Sequence, residues 1–297
     1  MPKIATTGAG GVLGLGLAEA LESSAWEGAT FTLGGRNHPP FWKWDWEAMD
    51  LLRPGEARAW LLRHNPQFLL HAAAMTRLDT CEKHAEACQR INLEATQELC
   101  AAASELRTSI LFVSTDQVFD GKAEKYAEDA NCSPVHAYGR AKAAAERLVL
   151  EAGGVVARLP LLLGGEAGPQ RMGADTALHQ AMLAGEELRL FEDEFRAPLP
   201  AVSAAEGLLK LLQAMQSASP PQGVFHFGGE EVLSRLELGK RIQEAANLSA
   251  SIVPARASSW GGPQRPLRLV LSCERAKKEL FWKAPNLRQY LSANASS

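Results

Sequence analysis

A tyrosine and a lysine four residues apart offer the clearest chemistry in this sequence. Tyr138 and Lys142 lie in the segment Tyr-Gly-Arg-Ala-Lys, and on a helix this spacing places the phenol and the ammonium on one face. A free tyrosine has a pKa of about 10, and a nearby cation lowers it by stabilising the phenolate. Such a phenol can exchange a proton with a carbonyl or alcohol oxygen. We therefore predict a catalytic pair, with a solvent-exposed helical pair as the ordinary alternative.

A threonine at the end of an apolar strand could hold the same oxygen. Residues 109–113 are predicted to form a buried strand, and Ser114 and Thr115 follow it directly. The carboxyl ends of parallel strands line the ligand crevice of an open α/β sheet. Thr115 is therefore predicted to complete the catalytic set, while a nicotinamide cofactor supplies the hydride.

A glycine turn at the start of the chain predicts where that cofactor binds. A β-prone run, Lys3 to Thr7, precedes glycines spaced by three, and leucines at helical spacing follow them. Glycine permits a tight turn, close approach of a pyrophosphate and close packing of helix on strand. Free N–H groups at the helix start attract the negative charge of the phosphates. The residues assigned to this cradle are Gly8, Gly10, Gly11, Val12, Leu13 and Gly14.

The end of the second predicted strand, residues 29–33, informs the choice of cofactor. An acidic residue there would bind the adenosine ribose hydroxyl of NAD. Arg36, which has no carboxylate beside it in the sequence, instead suits the 2′-phosphate of NADP. We expect NADP(H), with NAD(H) as the alternative cofactor and a solvated loop arginine as the simpler interpretation of Arg36.

The composition is that of an ordinary globular protein. The chain has 297 residues, of which 46% are hydrophobic, and a net charge of −3 that gives no basic stripe for nucleic acid or an anionic membrane. No apolar run approaches the roughly 20 residues of a membrane span. The cysteines form no Cys-x-x-Cys pair and the histidines show no metal-ligand spacing. We expect a cytoplasmic protein with a small-molecule substrate, reduced thiols and no metal.

Strands and helices alternate over the first 160 residues at the spacing of βαβ units. This alternation predicts a doubly wound parallel sheet with right-handed crossovers. One long helix is expected from about Glu82 to Glu105. The rhythm weakens after residue 160. We expect a Rossmann-type NAD(P)-binding domain over 1–160 and a smaller α/β substrate-binding region over 161–297, interleaved with the last strands of the sheet.

These motifs resemble those of the extended short-chain dehydrogenases/reductases, and more closely the dTDP-4-dehydrorhamnose reductase branch with its RmlD-like substrate-binding domain. The family carries Thr-Gly-x-x-Gly-x-x-Gly near its start and Tyr-x-x-x-Lys in mid-chain. The resemblance is strong over the first 160 residues and faint beyond them. The matching positions are 71–82, Asn92, 114–121, Tyr126, Glu128, Pro134, Tyr138, Gly139, Lys142, Glu146, Arg158, Asp193, Pro198, 225–228 and 265–266.

The resemblance implies NADPH-dependent reduction of a keto group in nucleotide-sugar metabolism, on a dTDP-4-keto-6-deoxy sugar or a related carbonyl compound. Tyr138 would protonate the carbonyl oxygen, and Thr115 would orient it. Lys142 would tune the phenol and also bind the nicotinamide ribose. The wider family implies a homodimer. The further positions that the resemblance places beside the cofactor are Asp50, Leu51, Ala72, Ala73, Ala74 and Thr76.

The positions that would face the substrate depart from the family's pattern. Gln117 stands where tyrosine is usual after Ser-Thr-Asp, and Arg196-Ala-Pro-Leu replaces Gly-Ser-Pro-Thr. These departures concern the identity of the sugar and leave the reductase chemistry intact. The residues expected to contact substrate are Thr76, Asp116, Gln117, Val118, Phe119 and Arg196.

Two other functions compete with the reductase. The first is a nucleotide-sugar epimerase or dehydratase that retains NAD(P), which Arg36 and the 116–119 stretch disfavour. The second is a non-catalytic NADP-binding regulatory subunit, similar to that of methionine adenosyltransferase. Such a subunit would keep the fold and the glycine turn, and the intact Thr115, Tyr138 and Lys142 argue against it.

Overall fold

The computed structural model describes residues 2–23, 26, 28–165 and 172–294. Most of the strands are short apolar runs, and most of the helices between them carry one buried face. The strands are β1 (Lys3–Thr7), β2 (Thr30–Gly35), β3 (Asp45–Ala48), β4 (Phe68–His71), β5 (Ser109–Thr115), β6 (Val155–Leu159), β7 (Leu162–Leu163), β8 (Leu188–Phe191), β9 (Phe195–Arg196), β10 (Leu199–Pro200), β11 (Gly223–His226), β12 (Leu233–Ser234), β13 (Ile252–Ala255) and β14 (Arg268–Leu269). The helices are α1 (Val12–Ser23), α2 (Glu56–His64), α3 (Leu78–Lys83), α4 (Ala85–Gln89), α5 (Ala95–Leu106), α6 (Ala137–Glu151), α7 (Ala174–Leu183), α8 (Ala201–Ala214), α9 (Arg235–Ala245), α10 (Glu274–Leu280) and α11 (Leu287–Ala293).

Seven parallel strands form the central sheet, in the order β3-β2-β1-β4-β5-β6-β11. The inner strands are buried on both faces, as in the β5 run from Ile110 to Val113, whereas the edge strand β3 is partly exposed. The strand order reverses between β1 and β4, so the ligand crevice of such a sheet opens at the carboxyl ends of these two strands. The predicted doubly wound parallel sheet is confirmed.

Helices cover both faces of this sheet. Helices α1 and α8 pack together on one face, where a Cβ on Gly16 would lie 2.4 Å from the Ala201 carbonyl carbon. On the other face α5 packs between α2 and α6. Both α8 and β11 come from the second half of the chain, which therefore contributes to the main sheet and its helical layer.

The segments that do not join the main sheet form three small sheets beside it, in the orders β12-β9-β14, β13-β8 and β10-β7. A separate apolar cluster packs among α7, α9 and α11 and includes Leu178, Ile242 and Leu291. This smaller part brings Arg196 near Asp116, which follows β5 of the main sheet. Within the described ranges, no helix combines the length and apolar character needed to cross a membrane.

The expected long helix from 82 to 105 is wrong in one respect, because it is not continuous. His84 breaks it between α3 and α4, and a π-helical turn, Arg90–Glu94, separates α4 from α5. Such turns occur frequently at functional sites. Here the π turn buries Asn92 against the loop that follows β4.

Candidate active site

The three predicted catalytic residues lie together. Thr115 ends β5, and Tyr138 and Lys142 lie in the first turns of α6. His136 caps that helix, because its Nδ1 accepts a hydrogen bond from the Gly139 N–H at 3.1 Å. The Thr115 hydroxyl lies close enough to the Tyr138 phenol to influence its pKa. All three side chains are buried.

Helix α6 is joined to β5 by successive side chains four residues apart. Tyr138 lies beside Thr115, and Lys142 Nζ donates to the Val113 carbonyl oxygen at 2.7 Å. One turn further along α6, Glu146 Oε1 accepts a hydrogen bond of 2.5 Å from the hydroxyl of Ser114, which lies between Val113 and Thr115 in β5. The end of β5 is therefore held in register against the catalytic face of α6.

The pKa values of the two α6 residues follow from their burial. Burial raises the pKa of the Tyr138 phenol well above its usual value, the Thr115 hydrogen bond opposes this rise, and Asp116 adds to it. Burial lowers the pKa of Lys142 to about 7, against the opposing charge of Glu146. The Lys142 ammonium lies 3.7 Å from the centroid of the Phe112 ring and bonds Val113. The helical spacing predicts that Lys142 lowers the pKa of Tyr138. In the structure burial raises this pKa instead, so the phenol stays protonated at neutral pH.

The glycine turn meets the loop after β4 at very close range. Gly8 has φ +81°, and a Cβ there would lie 2.4 Å from the Ala72 carbonyl carbon. A Cβ on Gly14 would lie 1.9 Å from the Ala9 carbonyl oxygen, whereas one on Gly11 would meet only the Gly8 oxygen, at 3.7 Å. Gly8 and Gly14 are thus required by packing, and Gly11 leaves open space. The other assigned cradle residues, Gly10, Val12 and Leu13, are half-buried at the start of α1.

A buried histidine connects the glycine turn to the helix carrying the π turn. His71 Nδ1 lies 2.6 Å from Thr7 Oγ1, and its Nε2 lies 3.0 Å from Thr96 Oγ1. Thr7 Oγ1 also accepts the Ala73 N–H at 3.2 Å. Burial lowers the pKa of His71 to about 3, and the Lys142 charge adds to this effect. A neutral His71 therefore fixes the Ala72–Ala74 loop, a role that the sequence did not reveal because the partners lie 64 and 25 residues away.

Asn92 fixes the next part of that loop. Its side-chain amide brackets Met75, accepting the Met75 N–H and donating to the Met75 carbonyl oxygen, each at 2.9 Å. Ala74 remains half-buried and Thr76 is exposed. The loop from 72 to 76 is therefore held at both ends, beside the carboxyl ends of β1 and β4.

The residues predicted to meet the adenosine end follow the neighbouring strands. Arg36 is exposed directly after β2. Asp50 and Leu51 come after β3, where Asp50 Oδ1 accepts the Leu52 N–H at 3.1 Å and Leu51 belongs to the apolar core. Because these strands are parallel, their ends lie along the same edge of the sheet as the glycine turn.

Of the predicted substrate residues, Asp116 and Gln117 form a short polar chain beside Thr115. Asp116 Oδ1 accepts from the Thr115 hydroxyl and from Gln117 Nε2, each at 3.2 Å. Gln117 Oε1 lies 3.0 Å from His136 Nε2. Burial raises the pKa of Asp116 to about 6, and Arg196 opposes this rise. Asp116 Oδ2 is buried with no partner among the described residues, so it is free to accept a hydrogen bond from a ligand.

Val118 and Phe119 differ from their expected role. Both are completely buried in the main apolar core, and the Phe119 ring stacks on Tyr126 with centroids 4.1 Å apart. We therefore revise the prediction that they contact substrate and assign their side chains to the core beneath the Asp116–Gln117 turn. The alternation of buried and polar residues in a 3₁₀ turn is too short a pattern to separate these two roles in a sequence.

The buried Arg196 lies in a cluster with the half-buried Arg235 and Arg265. The Glu194 carboxylate bonds Arg265, with Nη2 to Oε1 at 3.0 Å, and lies 3.3 Å from Arg196 Nη2. The field of Glu194 also reaches Arg235, whose pKa burial lowers to about 10. Asp116 is the second carboxylate near Arg196. Sequence reasoning missed Arg235 and Glu194, and only the faint Arg265-Pro266 match hinted at the cluster. Asp79 also lies near Arg265. Guanidinium groups gathered in this way are suited to binding an anionic ligand.

The described residues contain no group of three or more His, Cys, Asp or Glu side chains arranged to hold a metal ion. The candidate site brings together the Tyr138 phenol, the Thr115 hydroxyl, the Lys142 amine and the arginine cluster around Glu194.

A doubly wound parallel sheet, a glycine turn after its central strand and a Tyr-x-x-x-Lys helix define the fold of the extended short-chain dehydrogenases/reductases. Within that class, the chain belongs to the family described as the RmlD substrate binding domain, whose profile matches residues 2–296.

Two relatives with different names are similar to most of this chain. Methionine adenosyltransferase 2 subunit beta of Bos taurus is 27% identical over 278 residues, covering 92% of this chain and 81% of the relative. Spore coat polysaccharide biosynthesis protein SpsK of Bacillus subtilis (strain 168) is 27% identical over 306 residues, covering 100% of this chain and 99% of the relative.

Solved structures of similar fold include two reductases. A hypothetical dTDP-4-dehydrorhamnose reductase from Sulfolobus tokodaii has a TM-score of 0.83 and 25% identity, with 96% of this chain and 97% of that chain covered. The dTDP-4-dehydrorhamnose reductase of Bacillus anthracis str. Ames, in complex with NADP, has a TM-score of 0.83 and 21% identity, with 98% of each chain covered.

Proposed function

We propose that this protein is an NADP(H)-dependent reductase of a keto group on an anionic sugar nucleotide of the dTDP-4-keto-6-deoxy type. The observation that carries the proposal is the buried set Thr115, Tyr138 and Lys142 at the sheet edge that also holds the glycine turn. Membership of the RmlD substrate binding domain family and the similarity to the Sulfolobus tokodaii reductase support the same chemistry.

The residues at the glycine turn fit a dinucleotide. The first N–H groups of α1 have no partners within the helix, Gly11 leaves open space where a side chain would stand, and Arg36 is exposed at the end of β2. Gly8 to Gly14 would hold the pyrophosphate, and Arg36 would bind a 2′-phosphate, which favours NADP(H) over NAD(H). When bound, the nicotinamide supplies the hydride.

The chain's own residues then have to orient the ketone and deliver one proton. Because its raised pKa keeps the Tyr138 phenol protonated, Tyr138 donates its proton to the carbonyl oxygen as charge develops there. The Thr115 hydroxyl, which lies beside Tyr138, orients that oxygen. Lys142 binds the nicotinamide ribose and stabilises the phenolate that proton transfer leaves behind.

The arginine cluster supports a charged substrate. Arg196, Arg235 and Arg265 lie together around Glu194, and their guanidinium groups could bind the oxygens of a diphosphate. The cluster comes within electrostatic range of the catalytic turn at Asp116. A sugar carrying the keto group could therefore reach Tyr138 while its diphosphate is held by arginine.

A second function, a subunit that binds NADP(H) without turnover and acts on a partner enzyme, is favoured by one specific observation. The chain matches methionine adenosyltransferase 2 subunit beta over 92% of its length. A catalytic set held by hydrogen bonds and buried in one place favours the reductase over this alternative.

The decisive experiment follows NADPH oxidation by its nicotinamide absorbance against a panel of dTDP-4-keto-6-deoxy sugars and simple ketones. Wild type should turn over at least one nucleotide sugar, and Tyr138→Phe should lose about 10²- to 10⁴-fold in kcat while still binding NADPH. Tyr290→Phe is the matched control, because the Tyr290 hydroxyl donates to Asp175 beside the apolar cluster of α7, α9 and α11, away from Tyr138. NADPH binding without any turnover in wild type would contradict the reductase and favour the subunit.

A further inference from the structure

We infer that Glu146 is a positioning residue for this reaction: its carboxylate holds the end of β5 against α6 and lies one helical turn from Lys142 as its counter-ion. The inference rests on the proposed function for its kinetic part. Its electrostatic part concerns Lys142 alone, and it can be tested without cofactor or turnover.

The first support is the place of Glu146 in the fold. Glu146 is 2% exposed and lies one helical turn beyond Lys142 and two beyond Tyr138. Its Oε1 accepts the Ser114 hydroxyl at 2.5 Å. Because Ser114 immediately precedes Thr115, this bond fixes the strand end that presents the catalytic hydroxyl.

The second support is the anchor behind the carboxylate. Arg158 of β6 donates to Glu146 from Nε at 3.0 and 3.2 Å and from Nη2 at 2.7 Å. Arg158 is itself held by His226 of β11, with Nη1 and Nε2 3.1 Å apart, and by the Glu128 carbonyl oxygen at 3.4 Å. A bidentate, fully buried pair of this kind leaves the carboxylate little freedom to move. Glu146 therefore fixes α6 and the end of β5 relative to β6.

The third support is electrostatic. Burial removes much of the solvation of the Lys142 ammonium, and Glu146 is the carboxylate that opposes the resulting fall in pKa. The other titratable or charged groups around the pair are His71 on β4, Arg158 on β6, His226 on β11, and Cys132 and Glu128 in the segment before α6. His71 and Arg158 do not help to retain a positive charge on Lys142, which leaves this role to Glu146.

Two variants separate the charge from the bond. Glu146→Gln keeps a polar side chain beside Ser114 and removes the charge, whereas Ser114→Ala keeps the charge and removes the bond to β5. Thr108→Val is the matched control for lost buried hydroxyl bonding, because Thr108 donates to the Pro66 carbonyl oxygen at the opposite end of the sheet.

The test combines an NMR titration of ¹³C-labelled lysine side chains, with the Lys142 signal assigned through Lys142→Arg, and steady-state kinetics. Glu146→Gln should lower the titration midpoint of Lys142 by about one pH unit or more and reduce kcat by about 100-fold. Ser114→Ala should reduce kcat by about tenfold with the Lys142 midpoint and the KM for NADPH unchanged, and Thr108→Val should alter neither quantity.

An unchanged Lys142 midpoint in folded Glu146→Gln would overturn the electrostatic role. Wild-type kcat in Ser114→Ala would overturn the positioning role. If wild type itself shows no turnover, the proposed function fails, while the NMR titration still decides whether Glu146 maintains the charge of Lys142. Should Glu146→Gln not fold, Ser114→Ala decides the positioning role alone, and Glu146→Asp replaces Glu146→Gln in the titration. The shorter side chain moves the carboxylate away from Lys142, so a midpoint lowered from wild type supports the electrostatic role and an unchanged one overturns it.

Discussion

Gly14 and Ala9 are packed so closely that a Cβ on Gly14 would lie 1.9 Å from the Ala9 carbonyl oxygen, whereas the neighbouring Gly11 has no atom nearer than 3.7 Å to such a Cβ. The two glycines therefore answer different demands. Gly14 lets α1 start against its own turn, and Gly11 keeps a surface open.

An alanine substitution is therefore predicted to affect stability at Gly14 and NADPH binding at Gly11. Gly14→Ala should lower the free energy of unfolding by about 3 kcal/mol or more, because backbone atoms must move. Gly11→Ala should leave stability within about 0.5 kcal/mol and weaken NADPH binding by at least about tenfold. Urea unfolding and NADPH titration of both variants measure this contrast, and equal losses of stability would show that Gly11 is also a packing residue.

The exposed Arg36 should decide the choice between the two dinucleotides. Arg36→Ala removes a charge-assisted hydrogen bond to a 2′-phosphate, worth roughly 1.5–3 kcal/mol, so the Kd for NADPH should rise by about 10- to 100-fold and that for NADH should not change. Lys43→Ala, at an exposed lysine paired with Glu22, serves as the control. A parallel loss of NADH affinity in Arg36→Ala would contradict the assignment.

Arg235 should matter for charged substrates alone. In Arg235→Gln, kcat/KM for a nucleotide sugar should fall by about 10- to 100-fold, because one of the three guanidinium groups proposed to bind the diphosphate is lost. Turnover of a small uncharged ketone should be unaffected, since Tyr138 and Thr115 are intact. Equal losses on both substrates would mean that Arg235 supports the fold of the site rather than its specificity.

Acid should destabilise the protein below about pH 6.5. Burial lowers the pKa of His71 and of His226 to about 3, whereas a histidine in an unfolded chain titrates near 6.5. The unfolded chain therefore binds more protons between these pH values, and the free energy of unfolding decreases as the pH is lowered through this window. Asp116, with a pKa raised to about 6 by burial, opposes the fall below pH 6. The net slope between pH 6 and 5 should be about 1.4 kcal/mol per pH unit or more.

Urea unfolding at several pH values provides the measurement. His71→Gln should flatten the slope by about 1.4 kcal/mol per pH unit, because one buried neutral histidine is lost. His38→Gln, at an exposed position, should leave the slope unchanged. A slope that is the same in all three proteins would show that His71 does not control the acid limb.

The local patterns of the chain were sufficient to predict its main architecture. Apolar runs such as 109–113, alternating with helical periodicity, predicted the parallel sheet because burial on both faces leaves a direct trace in composition. The glycine spacing of Gly8, Gly11 and Gly14 and the helical spacing of Tyr138 and Lys142 are also short-range features. Each can be read within one turn or one strand, and each lies at the predicted position.

Tertiary contacts decided the rest, because they join residues with no pattern between them. The π turn that interrupts the predicted 82–105 helix buries Asn92 against Met75, and His71 bonds partners 64 and 25 residues away. The arginine cluster unites β9, α9 and the segment before β14. Val118 and Phe119 turned inward because the core behind β5 required volume there. The sequence by itself thus determined the sheet, the glycine turn and the helical spacing of Tyr138 and Lys142, whose causes are local. Only the tertiary structure determined the burial and pKa shifts of these side chains, the arginine cluster and the hydrogen bonds that hold α6 to β5, because burial and electrostatic fields depend on every neighbour in space.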